Sequence, residues 1–146
     1  MTQPLPVEPT LPASSVRGDL GGLLALVDGA EVPLPLQGVR VRASIAGACC
    51  RTVIEQTFHN GHDVGLEAVH LFTLPPDGAV TDMELRAGEV VVRADCQRRA
   101  QAEQTFQAAR QAGQRAALLT QERDDVHTLR VTNLPPKTQV TVRLVV

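Results

Sequence analysis

Apolar residues recur at every second position in short runs broken by glycine, proline, asparagine and aspartate, and this alternation limits what the chain can fold into. After Gly38, residues Val39, Val41, Ala43 and Ile45 alternate with Arg40, Arg42 and Ser44; near the end, Val140, Val142, Leu144 and Val146 alternate in the same way. A period of two sends successive side chains to opposite faces, so each run predicts a half-buried strand. Further strands are expected at 23–27, 31–36, 50–58, 66–74, 80–86, 89–94, 116–121 and 128–132. Asp28-Gly29, Gly47, Asn60-Gly61, Pro75-Pro76-Asp77-Gly78, Ala87-Gly88, the charged run 122–125 and the loop Asn133-Leu134-Pro135-Pro136 separate them. Within 31–36, Pro33 and Pro35 lack N–H groups on one side, which suits a sheet edge, and Val32, Leu34 and Leu36 are expected to face the core.

One segment changes period. From about residue 97 to 112, Ala, Gln, Glu and Arg fill most positions and Thr105 is the single β-branched residue, which predicts an α-helix. Asp95 is expected to cap it, Ala102, Phe106 and Ala109 to form its buried stripe, and Gly113 to end it. Many short strands with one helix give a mainly β fold, an antiparallel β-sandwich with the helix packed on it through Phe106. A length of 146 residues suits one such domain. Residues 1–19, with Pro4, Pro6, Pro9 and Pro12, read as a flexible tail, leaving 20–146 as the domain.

Composition excludes several functions. A formal charge of -2, three Phe, no Trp and no Tyr argue against a nucleic-acid or carbohydrate reader. No apolar run approaches the roughly 20 residues that cross a bilayer as a helix, so no membrane partner is expected. The start carries no charged and apolar leader pattern, and a cytoplasmic location is therefore expected. Cys49, Cys50 and Cys96 allow at most one disulfide.

The quoted segments, in order, resemble the vault protein inter-alpha-trypsin (VIT) domain. The stretches are Gly22-Leu23-Leu24 with Val32-Pro33-Leu34-Pro35-Leu36; 53–60, VIEQTFHN; 66–75, LEAVHLFTLP; Ala79-Val80; Ala102, Phe106, Ala109 and Gly113; Leu118-Leu119; and Asn133-Leu134-x-Pro136. His70 and Phe106 stand where that family often has Tyr, Thr73 where Pro is usual, and Lys137 where Gly commonly follows. The resemblance implies a non-enzymatic interaction or scaffold module that precedes a von Willebrand factor type A domain in a longer protein. The D-x-S-x-S cluster of such a domain is absent from the sequence, which stops inside a strand pattern at Val146 and so reads as an excised domain.

His59, His62 and Asp63 form a partial metal-ligand set without a third His or a Cys pair at zinc spacing, and read better as a polar loop. Cys49 or Cys50 beside Arg51, with His59 or His70, would make a thiol enzyme; as neighbours on a strand, one thiol is expected in the core and the other on the surface. Glu55 and Glu67, read on neighbouring strands, would suit acid/base work but fit solvated carboxylates better. Asn133 is expected to satisfy turn backbone, and Gly18-x-x-Gly21-Gly22 lacks the Lys of a phosphate loop, so no cofactor is expected. The leading expectation is a docking module that uses sheet edges, with self-association as one outcome, or else the helix face bearing Arg99, Glu103 and Arg110.

Overall fold

The computed structural model describes residues 22–28, 30–75 and 77–146. The expected tail at 1–19, the glycines at 18, 21 and 29, and Pro76 lie outside these residues. The strands are β1 (Leu23–Val27), β2 (Ala30–Leu34), β3 (Leu36–Ala46), β4 (Cys49–Asn60), β5 (Leu66–Thr73), β6 (Asp82–Ala87), β7 (Val90–Arg93), β8 (Ala116–Arg123), β9 (Val126–Leu134) and β10 (Thr138–Val145), and the helix is α1 (Arg99–Gln111). They form two five-stranded sheets, ordered β2-β1-β5-β9-β8 and β3-β4-β10-β6-β7. Every ladder between neighbours is antiparallel. The fold is mainly β with one helix, as the alternation predicts.

Side chains of both inner faces make one core. Leu23, Ala25, Ala68, Leu129 and Val131 come from the first sheet, and Phe58, Met83, Leu85, Val140, Val142 and Leu144 from the second. Burying such aliphatic side chains is worth about 1.5–3 kcal/mol each before conformational entropy opposes it. With few aromatics to fill the space, two histidines join them. His70 stacks on Phe72 at 5.3 Å and meets Phe58 edge-on at 5.8 Å, and Phe72 stacks on His127 at 5.5 Å.

The chain passes between sheets at Pro35, whose carbonyl accepts the His59 N–H at 3.2 Å. Pro33 therefore lies within β2, which is an edge strand as that proline favours, whereas Pro35 and Leu36 do not belong to β2. Leu34 is buried, but Leu36 is 48% exposed, which corrects its expected core position: the crossover has already carried it to the other sheet.

The helix ends as Gly113 demands. At φ 68° its N–H bonds the Arg110 carbonyl, and the Gln114 N–H bonds the Ala109 carbonyl, the paired closure of a Schellman motif. Its start differs: Arg98 is the N-cap residue without a side-chain cap bond, and Asp95 instead accepts from Gln97. Phe106 is buried against the outer face of the first sheet, separate from the main core. The 122–125 run is also not wholly a turn, since β8 continues through Arg123, and β9 continues through Asn133 and Leu134.

Candidate functional site

Cys49 and Cys50 open β4 beside the two-residue turn at Gly47, whose φ of 61° suits the first position of a tight hairpin. Both thiols are exposed, correcting the expectation of one core and one surface residue. His59 stands nine positions along β4 from Cys50, about 30 Å away at the usual strand rise. His70 is buried in the other sheet with Nδ1 donating to the Gly22 carbonyl at 3.2 Å, and Nε2 has no hydrogen-bond partner among the described residues. Burial holds its pKa below the ordinary 6.5, against the opposing effect of the Gly22 bond. The structure brings neither imidazole to the thiols.

The other paired groups also separate. Glu55 lies on β4 and Glu67 on β5, in different sheets, so they are not neighbours. Arg40 approaches Glu55 at 3.5 Å, and Arg110 reaches Glu67. Asp63 pairs with Lys137 at 3.2 Å. Among the described residues, no three His, Cys, Asp or Glu side chains come together as a metal-binding group.

Sequence reasoning missed Asn60. Fully buried, it donates from Nδ2 to the carbonyls of Val64 at 3.2 Å and Pro135 at 2.8 Å, while Oδ1 accepts the His62 N–H at 3.0 Å. The amide thus ties the 61–65 loop to the β9–β10 connection and explains the VIEQTFHN ending structurally. Its signal was an Asn on the core-facing parity of a strand, set before a Gly. Asn133, at φ 53°, donates to the Gln114 carbonyl at 2.9 Å, so it does satisfy backbone through its side chain.

The helix face bearing Arg99, Glu103 and Arg110 turns toward the sheet, which corrects its expected role as a free docking face. Arg99 bonds Glu122 on β8, Arg130 on β9 bonds Glu103, and Arg110 grips Glu67 on β5 with two 2.7 Å bonds. The bond from Thr120, then that from Arg99, holds Glu122 below the usual carboxylate range.

What remains open is β3. Its eleven residues are exposed throughout, including Val39 at 40%, Val41 at 55% and Ile45 at 77%. Val39, Val41 and Ile45 sit opposite Gln56, Ile54 and Cys50, so they continue the inner face of the sheet, yet they stand in solvent. Beyond the mutual bonds of Thr52 and Val146, the hairpin continues as a two-stranded ribbon. The expected half-buried strand is therefore a solvent-facing one.

The family model described as the vault protein inter-alpha-trypsin domain matches residues 36–146. Similar proteins include the mono-ADP-ribosyltransferase PARP4 of Mus musculus, 28% identical over 119 residues, and that of Homo sapiens, 29% identical over 119 residues. Each match covers 82% of this chain, but 6% and 7% of those proteins respectively. The von Willebrand factor A domain-containing protein 5A of Rattus norvegicus is 28% identical over 121 residues, 82% of this chain and 15% of that protein. The chain thus spans a small fraction of the length of these relatives.

Proposed function

The chain belongs to the vault protein inter-alpha-trypsin domain family, and on that footing we propose that it is a non-enzymatic docking or scaffold module of a longer, cytoplasmic protein. Its partner in this reading is a following von Willebrand factor type A domain or a second protein. The observation that carries it is the exposed strand β3, where valines and an isoleucine of the sheet's inner face meet solvent. Apolar surface of this kind marks an interaction site more often than an isolated exposed side chain does. A relative whose name declares a von Willebrand factor A domain supports the choice of neighbour. The domain in this proposal runs from residue 20 to 146, a span supported by β1, which joins the first sheet by pairing with β5. The described residues contain no helix long and apolar enough to cross a membrane.

The test is isothermal titration of the 146-residue chain with a von Willebrand factor type A domain from the same polypeptide. Saturable 1:1 binding is expected. A chain that shows no saturation, yet turns over an ester or thiol substrate in a way abolished by Cys49→Ser or Cys50→Ser, would replace docking with catalysis.

A further inference from the structure

The two sheets present four edge strands, and three are protected. β2 is five residues long and carries Pro33, β7 is four residues long, and β8 lies under α1, which ties to it through Arg99 and Glu122. Short length, proline and a covering helix are the ordinary ways in which sheets avoid unwanted pairing. Among the described residues, β3 has none of these three. It runs for eleven residues without proline or lysine, its irregularity is confined to the start between Leu36 and Gly38, and among the described residues it has a neighbour on one side only. Its outer backbone N–H and C=O groups form a pairing template as long as a typical strand or longer.

The side chains along this edge specify what would pair with it. Val39, Val41 and Ile45 point to one face, while Arg40 and Arg42 point to the other, joined across the ladder by Arg51 opposite Ser44. β3 contains no acidic residue, and Glu55, 3.5 Å from Arg40, is the carboxylate that answers this cluster. Arg42 and Arg51 have no ion pair among the described residues. A second copy pairing antiparallel through β3 about Val41 would set Arg40 opposite Arg42 of its mate, and like charges at cross-strand positions are unfavourable.

We propose that β3 is a strand-addition site for an extended segment of a partner protein in which apolar residues alternate with Asp or Glu. The apolar positions extend the row of Val39, Val41 and Ile45, and the carboxylates face Arg40 and Arg42. Main-chain bonds supply affinity in this mode and alternate side chains supply selectivity. The inference rests on the docking reading and gives it a location and a partner chemistry.

The probe is a synthetic peptide, acetyl-TVEVDIEVT-amide, labelled for fluorescence anisotropy and titrated with the 146-residue chain. Saturable binding is expected, weakened at least tenfold when the peptide's acidic residues become lysine or when the chain carries Arg40→Glu with Arg42→Glu. Both arginines are exposed, so an unchanged melting curve will show that the variant is folded. Two further peptides, N-methylated at odd or at even positions, separate strand addition from charge attraction: one series should lose binding and the other keep it. Equal binding by both series, or undiminished binding to the charge-reversed chain, would overturn the proposal. So would a dimer of the parent chain, seen by sedimentation, that Val41→Arg dissociates while the peptide fails to compete. If the charge-reversed chain still binds a von Willebrand factor type A domain as the parent does, this inference falls while the docking reading stands.

Discussion

The guanidinium of Arg130 lies 5.4 Å from the centre of the Phe106 ring and at the same time donates to Glu103 at 2.6 Å. One sheet side chain thereby holds the helix by its aromatic face and by its charge. Phe106 is the large buried residue of α1, and the neighbouring Ala102 and Ala109 let the helix approach closely.

Phe106→Ala should cost about 3 kcal/mol, the lower end for emptying an aromatic site, because the helix lies outside the main core and can settle into the gap. Urea denaturation monitored by far-UV circular dichroism checks this. A midpoint matching that of the parent would mean that the helix contributes nothing to cooperative stability.

Stability should depend on pH through the two buried imidazoles. Burial, against the Gly22 bond, holds His70 below 6.5, and burial, against the charge of Asp125, does the same for His127. The unfolded chain takes up these protons near pH 6.5 whereas the folded one does not. Their contribution is therefore full above that pH, declines as pH falls below it, and is lost once pH drops through the folded-state values. Urea midpoints at pH 7.5, 6.5 and 5.5 should fall in that order, and His70→Phe should flatten the trend. A midpoint that rises on acidification would contradict the burial of neutral histidine.

Asn60→Ala should cost about 1–3 kcal/mol, since it strips bonds from the Pro135 and Val64 carbonyls and from the His62 N–H. Hydrogen exchange at His62 and Lys137 should accelerate, because the Lys137 N–H bonds the His62 carbonyl in the same loop pair. Unchanged protection there would show that the loops hold without the amide.

Gly113→Ala should cost about 1 kcal/mol through backbone strain alone, because a Cβ at that position meets nothing within 4 Å but the residue sits at φ 68°. Gly113→Asn should recover part of the loss. Thermal melts of both variants would test the ranking, and an alanine variant as stable as the parent would sink it.

Cys49, Cys50 and Cys96 should all react with a bulky disulfide reagent in the native chain, without prior unfolding, because all three are exposed. A thiol that titrates only in denaturant would show that the hairpin tip is covered in solution.

The sequence by itself determined the strand and helix pattern, the edge position of the Pro33 strand, the glycine closure of α1 and the buried anchor Phe106. Each follows from local rules of side-chain period, proline's missing donor and left-handed backbone. Only the tertiary structure decided which faces are covered. The alternation of Val39, Val41, Ala43 and Ile45 separates two faces of a strand but carries no information about what lies opposite either face. All eleven residues of β3 are exposed, so apolar side chains that would be core under a covering layer stand in solvent. The same applies to Arg99, Glu103 and Arg110, whose charges fit an outward face by composition until Glu122, Arg130 and Glu67 meet them from strands distant in sequence. Glu55 and Glu67 were separated because the chain crosses from one sheet to the other in the 61–65 loop between β4 and β5, and sheet membership is a property of pairs of elements of which a single strand's pattern specifies only one member.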